Sequence, residues 1–323
     1  MKLKKRLLNS LVVGISVLIT LLICEGVFRL YVHQVREKTE IFELDKQLGW
    51  KVKSNLHTRW KNHDGDPWHI DTDADGLRNP SVQSPLKKKL LILGDSFAFG
   101  QGVEIEDRFD GVKALAGFDI INTGVMGYGT DQQILSAERY LSKLDSGDQV
   151  VILTYFNDFY DILHKVQSGR AKPWYHLVND KLKLNPPAPT SIGRLQLKSY
   201  LLTEIIKRQR TYSYPPLSEL QKACDIYQAL IQSFSEKLAS KHISVHLLYH
   251  GLPVIPDESH QALIKESLIQ TCNETPVSCI SLDRHFNYYQ HADHFLGDGH
   301  WNKKGNQVVG ELLSEYIRNS QIR

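Results

Sequence analysis

From residue 88 onward short apolar runs rich in β-formers alternate with longer amphipathic stretches. The runs are KLLILG (89–94), DIINTG (119–124), QVVILTYF (149–156), ISVHLLYH (243–250) and VSCISLD (277–283). The amphipathic stretches are 131–144, 217–242, 256–271 and 303–320. Near-continuous apolar strands must be covered on both faces, which is the condition of a parallel sheet between helical layers. Strand–helix alternation of this kind predicts an α/β three-layer sandwich.

Two segments stand outside that rhythm. Residues 33–87 read as a polar, irregular connector. Within it, DTDADG (71–76) matches the first half of a calcium loop, but Val82 occupies the twelfth position, where a bidentate glutamate belongs. A polar turn leading into a strand is the expectation there. Residues 166–215 read as an insertion, with Asn179-Asp180 as a hairpin turn and RLQLKSYLLTEIIKRQR as a helix.

The N-terminus imposes a different constraint. MKLKKR precedes LLNSLVVGISVLITLLIC, residues 7–24, which carries no charge until Glu25. A bilayer span takes roughly 20 residues, from about 17 upward. Basic residues ahead of it favour an N-inside orientation, which places the bulk of the chain outside the cytoplasm. No A-x-A-like site follows, and Ile23 stands before Cys24 where a lipoprotein signal wants a small residue. The expectation is a retained anchor: residues 1–32 as basic stub and transmembrane helix in the lipid bilayer, 33–87 as connector, 88–323 as the main domain. Glu25 and Arg29, four apart, are placed to pair.

Charge and cysteine count narrow the field further. A formal net charge of +3 over 323 residues gives no support to a nucleic-acid partner. Of four cysteines, Cys272 and Cys279 bracket a short loop and are either a disulfide or two free thiols.

In an open parallel sheet, ligands bind beyond the carboxyl ends of the strands. The segments following the strands are Gly94-Asp95-Ser96, NTGVMGYGT with Gly127, FNDF with Asn157, and near the C-terminus GDGHWN with Asp298 and His300. Gly94 matches the first glycine of a G-x-S-x-G elbow, but Ala98 replaces the second. A serine hydroxyl needs an adjacent base, and His300 is the candidate for Ser96. Asp298 would hold the imidazole, with Asp293 in reserve. The Ser96 amide, the Gly127 amide and the Asn157 side chain are candidate oxyanion donors.

These four blocks, in this order, resemble the SGNH hydrolases, also called GDSL-like esterases. The serine block falls on GDSFAFG, the glycine on Gly127 five residues after Asn122, the asparagine on Asn157 and the histidine on His300. The resemblance covers roughly residues 88–323. It implies a flavodoxin-like three-layer α/β/α sandwich with about five parallel strands and a serine esterase that needs no cofactor. The upstream DGLRNP and the N-terminal anchor resemble a membrane-anchored bacterial branch linked to cell-surface polysaccharide. That implies an acylated carbohydrate or other small ester as substrate. One departure is visible: the usual Asp-x-x-His becomes Asp298-Gly299-His300.

Other readings stay open at this level. The same residues would serve an O-acetyltransferase that passes the acyl group to a sugar hydroxyl. HADHFLGDGH gathers His291, Asp293, His294, Asp298 and His300, a possible metal-ligand set without an H-E-x-x-H pattern. A non-catalytic carbohydrate-binding module is the third. Taken singly, Asp95 and Asp158 read as turn or cap residues, Asn302 as a helix cap and Trp301 as packing.

Overall fold

The computed structural model describes residues 2–35, 40–61, 67–79, 88–111, 115, 117–167, 169–188, 199, 201–202, 205, 214–288 and 290–321. Two compact units result. One comprises residues 1–38, 168–170 and 189–214; the other comprises residues 39–167, 171–188 and 215–323.

In the first unit, Lys2–Val35 forms one helix, α1. Its stretch Lys4–Leu30, with mean hydropathy 2.5, is long and apolar enough to cross a bilayer. Leucines, valines and isoleucines along it are exposed all round, for example Leu11, Ile15 and Leu22. That pattern is costly in water and natural in hydrocarbon. Glu25 pairs with Arg29 at 2.8 Å and also accepts from Ser199 Oγ at 2.9 Å and from the Leu201 amide at 3.0 Å. The helix expected over 194–210 lies almost wholly outside the described residues.

The second unit is built on a parallel sheet. Its strands are β5 (Lys88–Leu93), β6 (Phe118–Asn122), β7 (Gln149–Tyr155), β10 (Ser244–His250) and β11 (Val277–Ser281), in the order β11-β10-β7-β5-β6. The reason is legible along each strand. Leu91, Leu93, Val150, Ile152, Val245 and Leu247 point into one buried cluster, with α3 (Thr130–Glu138), α5 (Leu217–Ala239) and α6 (Glu258–Glu274). Leu90, Ile92, Val151, Leu153 and Leu248 point into the other, with Val309, Leu313 and Ile317 of α7 (Lys303–Gln321). Alternate side chains feed opposite layers, so each strand must be apolar throughout. A disulfide joins Cys272 at the end of α6 to Cys279 in β11.

Much of the described part of the stretch read as an irregular connector is structured. Phe42–Asp45 (β1) pairs with Gly49–Val52 (β2), and His57–Trp60 (β3) with Trp68–Asp71 (β4), both antiparallel. Trp50, Trp68 and Ile70 form a third core with Phe99, Val125, Met126 and Tyr128 from the sheet's own loops. Each strand is only four residues long, so its period-two alternation is drowned by polar turns. In DTDADG, Asp73 Oδ1 accepts from the Asp75 and Leu77 amides, both at 2.9 Å, as a polar turn does. Arg78 just beyond it is buried, and its guanidinium donates to the carbonyls of Gly100 at 3.0 Å and Val103 at 2.8 Å.

Within the insertion, Trp174–Val178 (β8) and Lys181–Asn185 (β9) form the expected hairpin. Asn179 and Asp180 both take positive φ, 49° and 59°, the requirement of a type I′ turn.

Candidate active site

The chain leaves β5 through Gly94, where a Cβ would come within 2.5 Å of Ala98 Cβ. Asp95 caps the four-residue helix α2 (Ser96–Phe99) by accepting from the Phe97 amide at 2.9 Å. Gly100 ends the helix at φ +75°. The elbow's missing second glycine is explained next door. A Cβ on Gly124 would clash with Ala98 Cβ at 2.7 Å, so the space Ala98 needs is made in the neighbouring loop. Ser96 thus sits at the first position of the helix, half-buried between buried neighbours.

His300 arrives from a tight turn. The Leu296 amide donates to the His300 carbonyl at 2.7 Å, and Gly299 turns the chain at φ +91°. Trp301 is wedged into the core against Phe97, with ring centroids 4.8 Å apart, and Asn302 caps α7 through the Gly305 amide at 3.0 Å. The turn holds His300 Nε2 2.8 Å from Ser96 Oγ, across 204 residues of sequence. Asp298 Oδ1 stands 3.0 Å from His300 Nδ1 and accepts from the His300 main-chain amide at 3.2 Å. Gln101 Nε2 donates to Asp298 Oδ2 at 3.2 Å. Burial pushes the Asp298 carboxyl up, but contact with His300 and the Gln101 hydrogen bond outweigh it and hold the group below its ordinary value. A carboxylate beside Nδ1 favours the tautomer with its proton there, leaving Nε2 free to accept from the serine. Asp298 supplies this group; Asp293 instead sits in the turn whose carbonyls Asn302 holds.

Gly127 follows β6 and Asn157 follows β7, the two strands that flank β5. Parallel strands deliver all three loops to the same edge. Gly127 takes φ +80°. Asn157 opens α4 (Asn157–Asp161), and its Nδ2 gives one hydrogen to Asp161 Oδ2 at 2.8 Å; among the described residues the amide's second hydrogen is uncommitted. Among the described residues, the main-chain N–H groups of Ser96 and Gly127 meet no hydrogen-bond acceptor. These two residues and Asn157 are half-buried, whereas Asp95, Phe97, Tyr128 and Asp158 beside them are buried.

The ground beneath the site is electrostatically tuned. Burial raises Asp95 to about 6. Burial and the nearby Asp95 and Asp161 carboxylates push Asp158 well above the ordinary carboxylate value. Asp158 Oδ1 accepts from Gln133 Nε2 at 3.1 Å. His250, 1% exposed, packs against the rings of Phe97, Tyr155 and Trp301 at 4.5–4.6 Å. Burial and the His300 charge push its pKa well down, so it serves as an uncharged ring.

Among the described residues, no group of three or more His, Cys, Asp or Glu side chains is arranged to hold a metal ion. Asp293, His294, Asp298 and His300 are therefore not gathered into such a group, and the side chain of His291 lies outside the described residues. Sequence reasoning passed over Gln101 and Asp161. Gln101 directly follows the serine block, but its partner is 197 residues away.

No family model matches the chain, and no curated protein matches it. Solved structures do. TesA is 14% identical, with 72% of this chain and 99% of that one covered, at TM-score 0.47. The psychrotrophic esterase EstA from Pseudoalteromonas sp., inhibited by monoethylphosphonate, is 13% identical, with 73% and 100% covered, at 0.43. A lipolytic protein of the G-D-S-L family from Veillonella parvula DSM 2008 is 14% identical, with 71% and 97% covered, at 0.43. With identities this low and TM-scores below 0.5, the functional reading rests on the site's own geometry.

Proposed function

We propose that this chain is a serine esterase of the SGNH hydrolase family that removes acetyl or short acyl groups from a carbohydrate outside the cytoplasm. The observation that carries the reading is the 2.8 Å contact between Ser96 Oγ and His300 Nε2, with Asp298 beside the opposite ring nitrogen. His300 takes the Ser96 proton as Oγ attacks the acyl carbonyl carbon. The resulting oxyanion faces the Ser96 and Gly127 amides and the uncommitted N–H of Asn157. Collapse breaks the bond to the alcohol oxygen, which leaves with the proton from His300. Water then attacks the acyl-serine, with His300 again as base, and releases the carboxylic acid. Neither step calls on a cofactor.

Other features support the location. α1 has the length and exposed apolar surface of a single membrane span, and the basic residues ahead of it favour an inside N-terminus. The Cys272–Cys279 disulfide fits an oxidising compartment beyond that membrane. The carbohydrate acceptor rests on the resemblance of the sequence blocks and the anchor.

The test uses the full chain in detergent with p-nitrophenyl acetate, followed by mass spectrometry. An acetyl group on Ser96 that requires His300 is the expected result. Absence of any Ser96 acylation while ester is consumed, or no consumption at all, would overturn the reading. Chasing the acetyl-enzyme with water and then with an oligosaccharide tells release from transfer. Transfer to the sugar would replace the esterase with an O-acetyltransferase on the same residues.

A further inference from the structure

Lys172, in the insertion just ahead of β8, is 1% exposed. Its ammonium has three donors and commits all of them: to Asp131 Oδ1 at 2.8 Å, Asp131 Oδ2 at 2.7 Å and the Asp161 carbonyl at 2.8 Å. Those two partners belong to the segments that bear two of the three oxyanion donors, Gly127 and Asn157. Asp131 is four residues past Gly127, at the start of α3. Asp161 closes α4, and its carboxylate holds Asn157 Nδ2 at 2.8 Å and Gln167 Nε2 at 3.0 Å. Between them lies Gly129, where a Cβ would fall 3.0 Å from Asp131 Oδ1 and 3.1 Å from Asp161 Cβ. A side chain there would push the segments apart, so glycine allows them to close on the cation.

A buried ion pair gains little stability over apolar packing of the same shape, because both charges lose their water. What this one does supply is direction. The ammonium demands three acceptors at fixed positions, and two loops meet that demand together.

We propose that Lys172 is a positioning residue of the ester-cleaving site. It aims the Asn157 amide through Asp161 and fixes the Gly127 loop through Asp131. The proposal rests on the esterase reading above. It also gives the insertion a role in the chemistry, since the segment just ahead of β8 delivers the cation to both loops.

The experiment compares variants of the full chain in detergent with p-nitrophenyl acetate. Lys172→Met is expected to lower kcat about 10²-fold, as misplacement of a catalytic group by an ångström does, with KM changed less than about twofold. Lys172→Met with Asp131→Leu replaces the pair by apolar packing; it should recover the thermal midpoint but not kcat. In an Asn157→Ala background, Lys172→Met should cost well under about 10²-fold more, because one of the two groups it positions is gone and only the Gly127 loop is left to misplace. Wild-type kcat in the double variant, or the full loss repeated without Asn157, would overturn the proposal. If the unaltered chain shows no Ser96-dependent hydrolysis, the esterase reading fails by itself. The crystal structure of the double variant then decides the positioning role, and an Asn157 amide left in place refutes it.

Discussion

Replacing Asp298 by asparagine separates that residue's charge from its geometry. Two N–H groups face Oδ1: the His300 main-chain amide at 3.2 Å and Nδ1 at 3.0 Å. The amide oxygen of the substituted side chain settles there, and its NH₂ turns toward Gln101, which can rotate to present its own oxygen. The imidazole keeps its proton on Nδ1, and Nε2 can still accept from Ser96. Only the negative charge beside the transient imidazolium is lost. Two unit charges 3.0 Å apart attract by about 1.4 kcal/mol in water and about 5.5 kcal/mol at an effective dielectric near 20. The side chains of His300 and Asp298 are 17% and 25% exposed, which puts the loss between those limits, at about 3 kcal/mol. Asp298→Asn should therefore lower kcat for p-nitrophenyl acetate about 10²-fold. Asp298→Ala leaves both N–H groups without an acceptor and should cost about tenfold more. The assay is steady-state release of p-nitrophenol by the full chain in detergent. A loss near 10⁴-fold with asparagine would mean that the tautomer had inverted, refuting the placement of its oxygen. No loss at all would show that Asp298 does not act on His300.

Three further outcomes follow from the same geometry. Asn157→Ala removes one oxyanion donor and should lower kcat 10²–10³-fold, about 2.7–4 kcal/mol of barrier, while KM stays within a few-fold; an unchanged kcat would remove Asn157 from the site. Cys272 and Cys279 are seven positions apart, for which the chain-entropy relation gives about 2.4 kcal/mol. Their double serine variant should lose about that much in urea unfolding, and an unshifted midpoint would count against the pairing. Asp95 is raised from 3.8 to about 6, so its burial penalty is absent below pH 4, grows as pH rises to 6 and stays at about 3 kcal/mol above. Asp95→Asn keeps an acceptor for the Phe97 amide and should stabilise the chain by up to about 3 kcal/mol at pH 7.5, with no gain at pH 4; equal midpoints at both pH values would show that Asp95 carries no such penalty.

Much of the frame is legible in the sequence because its cause is local. The strands stand at the five apolar runs, since a strand buried on both faces must be apolar at every position. The same locality finds the Asn302 cap and the Asn179-Asp180 turn, each set by residues a few places apart. It fails over 42–71, where four-residue strands are too short to show a period and their tryptophans are buried by loops far along the chain.

For the site, order along the chain points to Ser96, Gly127, Asn157 and His300, because parallel strands bring their carboxyl ends to one edge. Their support is a different matter. That Asp298 rather than Asp293 faces His300 depends on the turn at Gly299. That Gln101 reaches Asp298, and that Lys172 joins Asp131 to Asp161, depends on side chains meeting across long stretches of chain. The sequence by itself determined the alternation of strand and helix, the apolar N-terminal span and the residue types able to do ester chemistry. Tertiary structure alone decided which carboxylate, which amide and which buried cation surround them. Periodicity is a property of neighbours, whereas a hydrogen bond between distant residues exists only once packing has placed both ends.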